Sequence, residues 1–173
     1  MKMDRSIARA LGAFYQVSIP FVVALFCVLL TMLPLGLSPG IVIAPTFGLM
    51  AVFYWGLYRP DLMPPMIVFL VGLFQDLISG GPLGLWALVY LAVYGVVVSQ
   101  RLFFIGKAFL AIWFGFGVTI LIGGMIAWVV SSLYFGALLS PVSVLVQALL
   151  SFILYPVAAR IFAFVQQQLL VQA

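Results

Sequence analysis

The chain has 173 residues, 67% hydrophobic and 6% charged, with seven Lys or Arg, three acidic residues and no His. A soluble domain carries about 25% charged residues because its surface meets water, so a chain this poor in charge must expose most of its surface to lipid. The net charge of +4 is scattered between apolar runs without interleaved aromatics, which excludes a nucleic-acid surface, and the lack of His and the lone Cys27 exclude His-dependent triads and Cys or His metal sites.

Taken in order, residues 1–15 read as an amphipathic segment on the cytoplasmic leaflet. Lys2, Arg5 and Arg9 share one helical face and Ile7, Leu11 and Phe14 another. These cations precede the apolar run Ile19 to Leu33 in the manner of a secretory signal. No small-residue cleavage site follows, so a retained first helix is expected. No charge occurs from Ala10 to Tyr58. As one helix this run would be roughly 75 Å long, against a hydrocarbon core of about 30 Å. It must fold back, and Pro34 with Ser38-Pro39-Gly40 marks the break. Helices are predicted over roughly 16–36 and 42–58, with Tyr54, Trp55 and Tyr58 as interfacial anchors. In Arg59-Pro60-Asp61, Asp61 is expected to cap a third helix (62–79), with Pro64 and Pro65 in its first turn. The turn Ser79-Gly80-Gly81-Pro82 leads into a fourth helix (82–100). The second charge-free run, Ala108 to Ala159, breaks around Ser131-Ser132 and Ser140-Pro141. It gives helices 108–133 and 141–164, followed by a cytoplasmic tail, 165–173, that continues as helix.

The predicted fold is all-α: one domain, 1–173, of six transmembrane helices. Continuous apolar runs exclude a barrel, which needs polar/apolar alternation. All seven cations fall on one side of this arrangement, which places them and both termini in the cytoplasm.

Asp76 is the residue most in need of explanation. It lies about one turn inside the outer end of the third helix, with Gly72 and Ser79 on the same side and Gln75 adjacent. An ionisable residue in a span is a functional candidate. The structural reading is that its carboxylate accepts N–H groups from the Ser79-Gly80-Gly81-Pro82 turn and ties the third helix to the fourth. A proton relay would want a second intramembrane carboxylate or a His, and the sequence has neither. On the fifth helix Ala111, Gly115, Thr119, Gly123, Ala127 and Ser131 recur every four residues. Such a stripe admits a close backbone, either within the bundle or from a partner. Ser143, Gln147, Ser151 and Tyr155 form a polar stripe on the sixth helix, and the two stripes are expected to face each other. No catalytic residue, metal site or cofactor motif is found.

Tyr54-Trp55, Arg59-Pro60-Asp61 and, most specifically, Gln75-Asp76-Leu77-Ile78-Ser79-Gly80-Gly81-Pro82-Leu83-Gly84 resemble the rod-shape-determining MreD family of the bacterial inner membrane. The motif-level likeness covers about residues 53–98; elsewhere it is one of hydropathy. The resemblance implies a non-enzymatic, multi-pass member of the machinery that elongates the cell wall. Its implied partners are a single-span MreC-type protein and, directly or indirectly, MreB and RodA with its transpeptidase, besides membrane lipid. It also implies a fold related to the substrate-binding components of energy-coupling-factor vitamin transporters, with a cavity opening near Asp76 and the Gly80-Gly81 turn. A vitamin-type transport component is therefore the alternative function.

Overall fold

The computed structural model describes residues 18–33, 36–38, 41–42 and 44–170. Six helices follow one another: α1 Ser18–Thr31, α2 Phe47–Tyr58, α3 Pro65–Ser79, α4 Leu85–Phe104, α5 Phe109–Phe135 and α6 Pro141–Leu170. α4, α5 and α6 are long and apolar enough to cross a membrane, while α1, α2 and α3 are shorter apolar helices. The amphipathic segment 1–15 and the last residues of the tail, 171–173, lie outside the described residues.

The first two helices are shorter than the charge-free run predicts. α1 ends at Thr31, and β1 (Gly36–Ser38) then pairs antiparallel with β2 (Ile41–Val42) on either side of Pro39-Gly40. α2 consequently starts at Phe47 rather than near 42. Apolar runs of a few residues read alike as strand or helix, so hydropathy alone cannot separate them.

α2 is the centre of the molecule. Every residue from Gly48 to Leu57 is buried, and α4, α5 and α6 all pack on it. Twelve residues rise only about 18 Å, and this suffices because protein rather than lipid surrounds the helix from Gly48 to Leu57. Tyr54 and Trp55 are therefore core residues, 5% and 0% exposed, not the interfacial anchors expected of them; a helix covered on all sides has no lipid face. Tyr58 alone of the three reaches the surface. Phe53 of α2 meets Phe116 of α5 edge-on at 5.2 Å and Tyr155 of α6 at 5.6 Å, and Phe116 stacks on Tyr155 at 4.2 Å. Aromatic pairs of this kind contribute about 0.5–1.5 kcal/mol each beyond their buried area. The opposite faces of α5 (Phe114, Val118, Leu121, Met125) and α6 (Leu145, Leu149, Ile153, Val157) are exposed and apolar, as lipid requires.

α6 carries Pro156 in its interior. Proline has no N–H, so the carbonyl four residues earlier, that of Phe152, loses its intrahelical donor. Trp113 of α5 supplies one: its indole N–H donates to the Phe152 carbonyl at 2.8 Å, while its ring stacks on the Phe152 ring at 4.9 Å. The proline and its repair lock the two longest helices together.

Two contacts define one end of the bundle. Arg101 Nε donates to the Leu57 carbonyl at 3.1 Å, and the Tyr54 hydroxyl donates to Gln166 Oε1 at 3.0 Å. The last turns of α2 and α4 and the tail of α6 thus share this end, where Arg59, Arg101, Lys107 and Arg160 gather. The α3–α4 turn lies at the other.

Candidate functional site

At the end away from the cations, Asp76 is 1% exposed and both its oxygens are occupied. Oδ2 accepts the N–H of Gly84 at 2.9 Å and that of Ala87 at 3.3 Å, and Oδ1 accepts that of Trp86 at 2.8 Å. These donors lie at the start of α4, where N–H groups have no intrahelical acceptor. The N-cap position there is Gly84, which has no side chain to cap with. Asp76 caps α4 from the neighbouring helix instead, placing negative charge at the positive end of the helix dipole. The partners expected for it are the N–H groups of 79–82; the structure gives it those of Gly84, Trp86 and Ala87. Gly80 (φ 66°) ends α3 in the left-handed conformation and Gly84 (φ 93°) turns the chain again, so the first turn of α4, rather than the loop, arrives over the carboxylate. The Ser79 hydroxyl turns back onto the Asp76 carbonyl at 3.3 Å, while Gly81, Pro82 and Leu83 form the outward part of the turn.

The close approach this requires is set one turn earlier. A Cβ on Gly72 would lie 2.7 Å from the Ala87 nitrogen and 2.9 Å from the Trp86 carbonyl carbon. Only a glycine lets α3 come near enough for so short a side chain as Asp76 to reach the α4 backbone. Beside it the buried Gln75 carboxamide accepts the hydrogen bond of the buried Tyr90 hydroxyl, and Gly48 of α2 leaves room for that hydroxyl.

Asp61 does not cap α3. The N-cap position is Pro64, with no side-chain cap bond, and Pro65 opens the helix as expected. Asp61 pairs with Arg59 at 3.2 Å on the surface instead. The tight turn closed by Leu62 N–H on the Arg59 carbonyl holds Asp61 beside that guanidinium and away from the helix start.

Within the small-residue stripe of α5, Gly115 and Gly123 face α4 and α2 rather than the polar stripe of α6. A Cβ on Gly115 would collide with the Phe104 ring at 2.6 Å, and one on Gly123 would lie 3.1 Å from Val93 and 3.3 Å from Leu49. Thr119 turns its hydroxyl onto the carbonyls of Gly115 and Phe116. The glycines that admit α6 are Gly117, against Phe152, and Gly124, against Val144. Four-residue counting misses both because they lie on a different face of α5. Ala111, at the other end of the stripe, is exposed. The α6 stripe holds the start of α2. Ser151 Oγ accepts the Thr46 N–H at 2.9 Å and lies 3.0 Å from its hydroxyl, and Gln147 Nε2 donates to the Ala44 carbonyl at 2.9 Å.

The two stripes do share one space. Ala127 and Ser131 of α5 and Ser143 and Gln147 of α6 line a cavity of about 320 Å³, walled by the indoles of Trp86 and Trp128. It opens beside the start of α4, not at Asp76 or the Gly80-Gly81 turn, because the carboxylate is sealed under the α4 backbone. No charged residue lines it. Among the described residues no group of three His, Cys, Asp or Glu could hold a metal.

The family profile for rod shape-determining protein MreD matches residues 9–167. The chain belongs to the MreD family. Neither curated proteins nor solved structures yield a significant match. The family match extends well beyond the 53–98 stretch that carries the resemblance, into α5 and α6, which have no motif of their own. For this MreD-family chain the described geometry gives the most specific motif an architectural explanation: Gly80 and Gly84 supply left-handed turns and Asp76 caps α4.

Proposed function

We propose that, within the role in rod shape determination that family membership gives it, this protein is a non-enzymatic scaffold of the cell-wall elongation complex in the bacterial inner membrane. In this reading it crosses the membrane six times with the cations and both termini in the cytoplasm, and it binds an MreC-type single-span protein and, directly or indirectly, MreB and RodA with its transpeptidase. The observation that carries the reading is the commitment of Asp76. Both its oxygens are used on the α4 backbone, so the buried carboxylate builds a rigid helix pair and is not held ready for proton transfer. A rigid bundle with apolar outer faces presents such a partner with helix surfaces to pack on, where close packing and few polar contacts govern association.

The test is purification from native membranes. A single-span partner at near-equal amounts is expected, and its absence from a stable preparation that restores rod shape would refute the scaffold reading. One observation favours a second reading as a substrate-binding transport component, namely the uncharged, tryptophan-walled cavity between α5 and α6. Its size is within the range of about 300–1,000 Å³ common for small-molecule sites. Filling it with Ser131→Leu, from a residue that lines the cavity, would abolish function without loss of partner if that reading holds.

A further inference from the structure

At the cation end, a cleft of about 330 Å³ lies between α2, the first residue of α5 and the last turns of α6. Its polar lining is Tyr54, Tyr58, Arg160, Gln166 and Gln167. Among the described residues Arg160 has no ion pair, since the carboxylate of Asp61 pairs with Arg59 and that of Asp76 caps α4. Among those residues, too, neither the Tyr58 hydroxyl nor the Gln167 amide finds a hydrogen-bond partner, and Gln166 uses only its oxygen, to accept from Tyr54. What remains unpartnered is therefore chiefly N–H and O–H: a guanidinium fork, a phenol and two carboxamide NH₂ groups, with no carboxylate among them. The cleft also contains Phe109, which stacks at 6.5 Å on Tyr155, whose buried hydroxyl has no partner among the described residues. Phe109, Ala159 and Ala163 make the rest of the wall apolar, and the exposed Phe164, one helical turn on from Arg160, carries apolar surface beside it.

A donor-lined cleft with one unpaired arginine selects an anion, and the forked guanidinium fits a phosphate. Its apolar walls, at the end of the helices where tyrosines and arginines meet the membrane surface, select an anion that carries acyl chains. We propose that this cleft binds the phosphate headgroup of an anionic phospholipid such as phosphatidylglycerol, its phosphodiester held by Arg160 and Tyr58 and its chains lying along α6. Basic pockets between membrane helices take anionic headgroups in this way. Zwitterionic lipids bring a phosphate too, but the cleft offers their cation no carboxylate. The proposal rests on the membrane reading above and needs neither the partner protein nor the cytoplasmic assignment, so its failure leaves the scaffold reading intact.

The test is native mass spectrometry of the full chain released from detergent micelles, with phosphatidylglycerol or phosphatidylcholine added. The parent is expected to hold phosphatidylglycerol about tenfold more tightly than phosphatidylcholine, the worth of roughly one charge-assisted hydrogen bond. Arg160→Gln should erase that preference and Tyr58→Phe should reduce it, whereas Lys107→Gln, on the same end but outside the cleft, should leave it in place. Each variant is first melted without added lipid. Should Arg160→Gln not fold, Tyr58→Phe and Arg160→Lys carry the comparison. Equal losses in Lys107→Gln and Arg160→Gln would reduce the effect to diffuse attraction and overturn the site. Displacement of the lipid by millimolar glycerol 3-phosphate would assign the cleft to a soluble phosphate instead, and an unchanged preference in every variant would also refute the proposal.

Discussion

α4 and α2 are both capped from outside their own helix, and the two caps differ in nearly every other respect. α4 is capped by Asp76, 8 to 11 residues upstream, with a carboxylate that accepts three N–H groups. The start of α2 is held by Ser151 and Gln147, more than 100 residues downstream, with a hydroxyl and a carboxamide. Both answer the same demand, that backbone groups at membrane depth find partners inside the protein. The difference shows that the demand can be met with charge and proximity or with neutral groups and distance. The first leaves a motif in the sequence; the second leaves only a polar stripe with no visible addressee.

The largest effect on this comparison should come from Asp76→Ala. It strips the acceptor from three N–H groups at once, and about 3 kcal/mol of unfolding free energy in mixed micelles is expected, the top of the range for unpaired buried groups. A loss below that of Ser151→Ala would mean that charge confers no advantage at the start of α4. Next comes Gly72→Ala, which drives a methyl group into the Ala87 backbone and should cost about 2 kcal/mol as overpacking. Because it also lifts α3 away from α4, its effect and that of Asp76→Asn should be strongly non-additive in a double-mutant cycle. Additive losses would show that the close approach and the cap are independent. The smallest effect is expected from Ser151→Ala, about 1 kcal/mol, since it removes one neutral acceptor from the Thr46 N–H. Hydrogen exchange at the Thr46 amide should rise in that variant while that of Trp86 stays protected; a rise at both would join the two caps into one cooperative unit.

The contrast also explains which features are legible in the sequence. The six helices and their order follow from charge-free runs and proline-glycine breaks, and the four described cations gather at one end as the charge pattern predicts. Asp76 is legible as a tie between α3 and α4 because its partners are near in sequence, although the donors belong to α4 rather than to the turn. Asp61 reads as a cap and is not one, because Arg59, two residues away, competes for it. The facing of the α5 stripe is not legible because every surface in such a chain is apolar, and hydrophobic periodicity no longer distinguishes the inside from the outside. Gly115 and Gly123 meet α4 and α2, and Gly117 and Gly124 meet α6; only the shape of the neighbours tells them apart. Long-range bonds such as Trp113 to the Phe152 carbonyl leave no local trace beyond the proline that makes them necessary.

The Pro156 repair has a consequence for the order in which the chain is made. Trp113 emerges from the ribosome well before Phe152, so when α6 reaches the membrane with one carbonyl bare, its donor is already in place on α5. Asp76 likewise precedes the α4 groups it receives. The start of α2 runs the other way: Thr46 and Ala44 are synthesised early, and their partners on α6 come last. A nascent chain halted after α5 would hold those two groups open, and the arrival of the final helix is the event that closes the bundle.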